Sequence, residues 1–224
     1  AASELLDTAP QIDALICNAA IAQVAKQELT VDGFESQLGV NHFGHFLLCG
    51  LLFDRIEQSR GRIVVVGSNA YKMGLKKIQF EDLNFDQNYT AWNAYAQSKL
   101  AQMMFAYELQ RRVEAAGKHV QVRVCHPGAS RTNLLNETAS LPMKLLWKLI
   151  SPFIAQSAER GSWPEVMCAT EESLKPQALY GPTKRAETVG RVGECPLEPL
   201  ALNQEAATQL WALSEQKTCF NWSP

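Results

Sequence analysis

Short, nearly continuous apolar runs alternate with long amphipathic ones along this chain. The runs IDALIC (12–17), RIVVVG (62–67), VQVRVC (120–125) and the shorter ALYG (178–181) have the length and apolar continuity of buried strands. Between them, apolar residues recur at helical spacing. Leu38, Phe43, Phe46, Leu47 and Phe53 predict a helix over about 34–58, and Leu100, Met104 and Leu109 predict another over about 90–116, with Gly117 as its stop. Strand, helix, strand, helix, strand is the pattern of a parallel sheet with right-handed crossovers. Strands without polar alternation imply that both faces of that sheet are covered. The expected fold is α/β, a doubly wound parallel sheet of Rossmann-like type. The tail after Gly190, with Pro196 and Pro199 in it, reads as a loop leading to a packing helix near 203–216.

Composition narrows the function classes. At 224 residues and 46% hydrophobic content the chain can bury a sizeable core, and no linker or repeat divides it, so residues 1–224 read as a single domain. Lys plus Arg total 21 against 23 for Asp plus Glu, with no basic run, which leaves no electrostatic footprint for nucleic acid or an anionic membrane. Apolar stretches are broken well before the roughly 20 residues a membrane span needs. Six cysteines without a Cys-x-x-Cys pair sit mostly in apolar runs, as reduced thiols do, so a cytoplasmic protein is expected.

Candidate chemistry starts from NAYAQSKL (93–100), where Tyr95 stands four residues ahead of Lys99. On a helix these two share a face, and an ammonium beside a phenol favours phenolate, which suits proton exchange with a carbonyl. A half-buried tyrosine with a merely solvated lysine is the bland alternative. The same spacing recurs at Tyr180 and Lys184, but Gly181 and Pro182 lie between them, a turn dipeptide expected to make the side chains diverge. Ser68 follows a strand at the end where open α/β sheets bind ligands, although serine there is also an ordinary turn former. Asn41 sits inside a predicted helix, where an amide competes with the backbone. His42 and His45, three apart, lack a carboxylate or cysteine to complete a metal set, so packing is expected and no metal is assigned.

Five motifs occur in order: ICNAA, VNHFGHFLL, VVVGS, YAQSK and CHPGASRT. Together they resemble the short-chain dehydrogenase/reductase family. With the insert IQFEDLNFDQNY between the serine and the tyrosine, the chain is most similar to the retinol dehydrogenase-like branch. The resemblance implies an NAD(P)-dependent oxidoreductase interconverting an alcohol and a carbonyl, with NADP or NAD as cofactor and a small carbonyl or alcohol substrate. It implies that Ser68 and Tyr95 hold the substrate oxygen, that Tyr95 is the general acid/base, and that Lys99 contacts the nicotinamide ribose and lowers the tyrosine pKa. Asn41 would anchor a water linking Lys99 to solvent. Asn18 and Ala19 would lie near the adenosine ribose, with Ala20 departing from the family's glycine, and Pro127, Gly128 and Thr132 would hold the nicotinamide end. LPMKLLWKLISPFIAQ (141–156), with Trp147 and Phe153, falls where the family carries its substrate lid and suits a lipophilic substrate. A helix packed on the core or on a second subunit explains it equally, and a homo-oligomer is left open.

None of the 13 glycines forms the family's Gly-x-x-x-Gly-x-Gly phosphate loop. The opening residues resemble the approach to the family's fourth strand, so the amino-terminal strands are expected to be missing and the chain to belong to a longer polypeptide. IDALIC would then form an apolar sheet edge. The competing expectation is a non-catalytic, shortened form that binds a partner through that edge.

Overall fold

The structure, a computed structural model, describes residues 1–130 and 155–224 together with residues 141, 144, 145, 148, 149 and 151. Thr132, Trp147 and Phe153 lie outside the described residues. Five strands form one sheet in the order β1 (Ala14–Cys17), β2 (Arg62–Val66), β3 (Gln121–Cys125), β4 (Leu179–Lys184) and β5 (Val189–Cys195). The first four run parallel, and β5 returns antiparallel to β4.

The apolar strands are explained by what covers them. Ile63, Val65, Val122 and Val124 enter the main core with α3 (Gly44–Gln58), α4 (Ala91–Ala115) and α6 (Gln204–Thr218), which follow α1 (Ala2–Thr8) and the short α2 (Ser36–Leu38). Their sequence neighbours Val64, Val66 and Cys125 face the other way and pack with Cys168 of α5 (Ala158–Thr170). Successive strand residues therefore meet apolar cover on opposite faces, which removes the polar alternation a half-exposed strand would show. The main core closes around Phe46, Phe105, Trp211 and Trp222, whose rings lie 4.9–6.0 Å apart. Among the described residues β1 pairs only with β2, and its Ile16 is 40% exposed. Among the described residues no helix is long and apolar enough to cross a membrane.

Both long helices form where the apolar spacing places them. α4 starts at Thr90, whose hydroxyl accepts from the Asn93 N–H at 3.2 Å, and gives way to Gly117 at a φ of 65°. The segment expected to be one helix over 34–58 is interrupted by a π-helical turn at Gly39–Phe43, which carries Asn41 and leads directly into α3.

Two expectations fail. Val189–Cys195 is a strand and not a loop: VGRVGEC packs two glycines among half-exposed residues, so it carries no apolar run to betray it. Gly181–Pro182 is part of β4 and makes no turn. β3 pairs with β4 only at Leu179 and Tyr180, so at Pro182 no neighbour on that side demands an N–H, while β5 continues on the other side.

Candidate active site

Parallel strands deliver their carboxyl ends to one side of the sheet, and three such ends meet there. Asn18 and Ala19 follow β1, Gly67 and Ser68 follow β2, and Pro127 and Gly128 follow β3. α4 runs against them and contributes Tyr95 and Lys99. All seven of the residues Asn18, Ala19, Ser68, Tyr95, Lys99, Pro127 and Gly128 line one cavity of about 510 Å³. Two glycines make this convergence sterically feasible. A Cβ at Gly74, just past the 3₁₀ turn Asn69–Lys72 that Ser68 caps, would come within 2.4 Å of the Ala96 Cβ, so only glycine lets that turn lie on α4 beside Tyr95. Gly128 has a φ of 65°, and a Cβ there would meet the Thr188 carbonyl at 2.4 Å.

Tyr95 and Lys99 are both buried, at 8% and 3% exposure, and the Lys99 Nζ stands 6.0 Å from the Tyr95 ring centre. The lysine is neither solvated nor free: it donates to the Val66 carbonyl and to the Gln102 Oε1, each at 2.9 Å. Burial pushes its pKa down to about 8, against the opposing pull of Cys125, Glu165 and Cys17. The tyrosine departs from expectation. Burial raises the Tyr95 phenol above its ordinary value and a hydrogen bond from Ser68 only partly offsets this, so the ammonium next door does not produce a depressed phenol here. Ser68 and Tyr95 line the same cavity on one side of the sheet.

Asn41 is fully buried and does not line this cavity. Its Oδ1 accepts from the Ile21 N–H at 3.0 Å, and its Nδ2 donates to the Ile21 carbonyl at 3.0 Å and to the Ser98 Oγ at 2.9 Å. The amide thus stitches the loop after β1 to α4 directly behind Lys99. His42 bonds Ser214 at 2.8 Å and packs tilted against Phe43 and edge-on to Phe105, the packing role expected of it.

Several site residues were missed from sequence. Glu165 of α5 lines the cavity; burial raises its carboxyl and the Lys99 charge opposes that. Its motif-free helix offers no signal. His126, Glu187 and Cys195 come within 4.8 Å of one another beside the Pro127–Gly128 loop. The His126 Nδ1 accepts from the Gly128 N–H at 3.2 Å, so a neutral ring carries its proton on Nε2, 3.8 Å from Glu187, whose carboxylate also holds Lys72 at 3.1 Å. That tautomer faces a carboxylate well and a metal poorly, since a ligating imidazole normally donates through its second nitrogen. The Lys72–Glu187 pair holds the serine-bearing turn beside His126, which in turn holds the Gly128 N–H.

An open parallel sheet with its cavity at the strand ends, floored by Ser68, Tyr95 and Lys99, defines a Rossmann-like α/β protein. A short chain dehydrogenase family model matches residues 1–80. The chain is 39% identical to human retinol dehydrogenase 14 over 216 residues, covering 95% of this chain and 60% of that protein. With human retinol dehydrogenase 12 it shares 36% over 215 residues, covering 95% and 63%. An uncharacterized protein from Mycobacterium paratuberculosis, known as a crystal structure, is 36% identical with a TM-score of 0.77, covering 99% of this chain and 72% of that one. The chain belongs to the short-chain dehydrogenase/reductase family and is retinol dehydrogenase-like. It spans about three fifths of the length of these human relatives.

Proposed function

We propose that this chain carries the catalytic site of an NAD(P)-dependent oxidoreductase that interconverts an alcohol and a carbonyl. The observation that carries the reading is the meeting of Ser68, Tyr95 and Lys99 in one cavity with the Asn18–Ala19 and Pro127–Gly128 loops. These residues fit a nicotinamide nucleotide. The cavity is lined by Asn18, Ala19 and Ala20 after β1 and by Pro127 and Gly128 after β3, and Lys99 has a donor hydrogen beyond the two given to the chain. When bound, that cofactor supplies or accepts the hydride.

The chain's own part follows from its donors. The Ser68 hydroxyl donates to the substrate oxygen and holds it within reach of the Tyr95 hydroxyl. Tyr95, kept protonated at neutral pH by burial, gives its proton to the oxygen as a carbonyl is reduced and takes it back in the alcohol direction. Lys99 presents its remaining hydrogen to the ribose and stabilises the phenolate left behind. Asn18, Ala19, Pro127, Gly128 and Thr132 hold the cofactor, and Asn41 braces the loop after β1. Residues 1–224 belong to a single catalytic domain in this reading.

A lipophilic substrate fits two things: the relatives are named retinol dehydrogenases, and Leu141, Leu145 and Leu149, spaced four apart, are 64–76% exposed. A reducing, cytoplasmic location belongs to the same proposal, supported by six unbridged thiols. The test is fluorescence titration with NADH and NADPH, of this chain and of any longer polypeptide containing it, followed by turnover of retinal and short aldehydes. Binding of one nucleotide and carbonyl-dependent oxidation support the reading; failure of every form to bind either nucleotide sinks it.

A further inference from the structure

Lys99 is held by a side chain that no motif reading singles out. An ammonium has three donor hydrogens and no acceptor capacity, so whatever faces it must accept. That requirement fixes the Gln102 amide: its oxygen meets the Lys99 Nζ at 2.9 Å and its nitrogen therefore points to the His45 Nδ1, also at 2.9 Å. The nitrogen can only donate, so the His45 Nδ1 accepts and the neutral ring carries its proton on Nε2. Nδ1 also lies 3.0 Å from the Asn41 carbonyl, a second acceptor, and it cannot serve both partners at once. Fixing Gln102 on Lys99 thus fixes the His45 tautomer, and the π-helical turn that carries Asn41 sets where His45 stands.

The chain of contacts is buried. Gln102 is fully buried and His45 is 5% exposed, so water cannot readily replace either partner, and a lost bond here leaves a buried donor or acceptor unsatisfied. Tyr95, Lys99 and Gln102 stand at i, i+4 and i+7 on one face of α4, while His45 comes from α3.

Building on the oxidoreductase reading, we propose that Gln102, braced by His45, is the positioning residue that aims the Lys99 ammonium, spending one of its hydrogens so that the Val66 carbonyl takes another and the third is left to the cavity. Burial and the Lys99 charge together push His45 down to about 4, so its ring stays neutral and able to accept across the physiological range. The other ionisable groups facing Lys99 are Tyr95 on its own helix, Cys17 after α1 on β1, Cys125 on β3 and Glu165 on α5. None of these is altered by a change at Gln102.

The test reads Lys99 directly. In protein labelled with ¹³C-lysine, the Lys99 Cε signal is assigned by its loss in Lys99→Arg and titrated in wild type, Gln102→Leu and Gln102→Glu. Gln102→Leu removes an acceptor and moves the Lys99 titration down by about one pH unit, whereas Gln102→Glu, nearly isosteric, moves it up by a similar amount. Opposite shifts are not what a general loosening of the core produces. Should Gln102→Leu fail to fold, the upward shift in Gln102→Glu decides. Unmoved titrations in the folded variants overturn the proposal. NADH and NADPH titrations of the same samples, and of any longer polypeptide containing this chain, separate the two readings: opposite lysine shifts with no form binding either nucleotide leave the positioning role standing and remove the oxidoreductase reading.

Discussion

Two tyrosine–lysine pairs with the same spacing end in opposite settings. Tyr95 and Lys99 lie one turn apart on α4, about 6 Å along its axis, and line the same cavity. Tyr180 and Lys184 lie on β4, where four residues span about 13 Å. Tyr180 is buried and its oxygen accepts from the Lys175 N–H at 2.8 Å, while Lys184 is exposed on the hairpin that leads to β5. What separates the pairs is rise per residue. The expected turn at Gly181–Pro182 is not needed to part them, because an extended strand does so already.

The comparison breaks most sharply at the phenols. Tyr95→Phe is expected to lower carbonyl turnover by about 10²–10⁴-fold, the range a positioned acid/base contributes, and Tyr180→Phe to leave turnover unchanged. Steady-state kinetics with the nucleotide that binds provides the check, and equal losses in both variants would erase the distinction drawn here.

The next effect is a pH dependence. Lys99 has a folded pKa of about 8, below the 10.5 of a free lysine, so the unfolded chain holds this proton more tightly. The stability it contributes is present above about 10.5 and lost as pH falls through about 8. Urea melts of wild type and Lys99→Met across that window should show stability of the wild type rising relative to the variant as pH increases. Parallel curves would mean that the ammonium is not desolvated as the geometry implies.

The smallest effect belongs to the second pair's surroundings. A Cβ on Gly181 would come within 2.2 Å of the His126 Nε2, so Gly181→Ala should cost about 1–3 kcal/mol through overpacking, read as a shift in the urea midpoint. If the ring moved aside freely, the midpoint would stay put and the packing between β4 and His126 would be looser than it looks.

Much of the scaffold was readable from apolar pattern because β2 and β3 are short and covered on both faces, and because α3 and α4 present long stripes to one core. β5 was not, since its glycines and half-exposed residues owe their strand to pairing with β4 and not to burial. The cavity residues were readable as a set of motifs in order, although no spacing rule shows that they converge. Gln102 stood three residues past Lys99 in plain view, on the same helical face. Its role needs His45, which comes from 57 residues away and in sequence stands out only beside His42. The direction of the Tyr95 shift was misjudged for a related reason: a neighbouring charge can be inferred from spacing, whereas desolvation depends on what the rest of the chain lays over the site.

By itself the amino-acid order determined which segments are strands and helices over most of the chain, and which residue types carry chemistry, because periodicity and side-chain identity are local properties. Tertiary structure alone decided that Ser68, Tyr95 and Lys99 face one cavity, which partner each buried donor found, and how far burial moved each proton. Those quantities depend on distance and dielectric between groups far apart in the chain, and only the folded packing sets them.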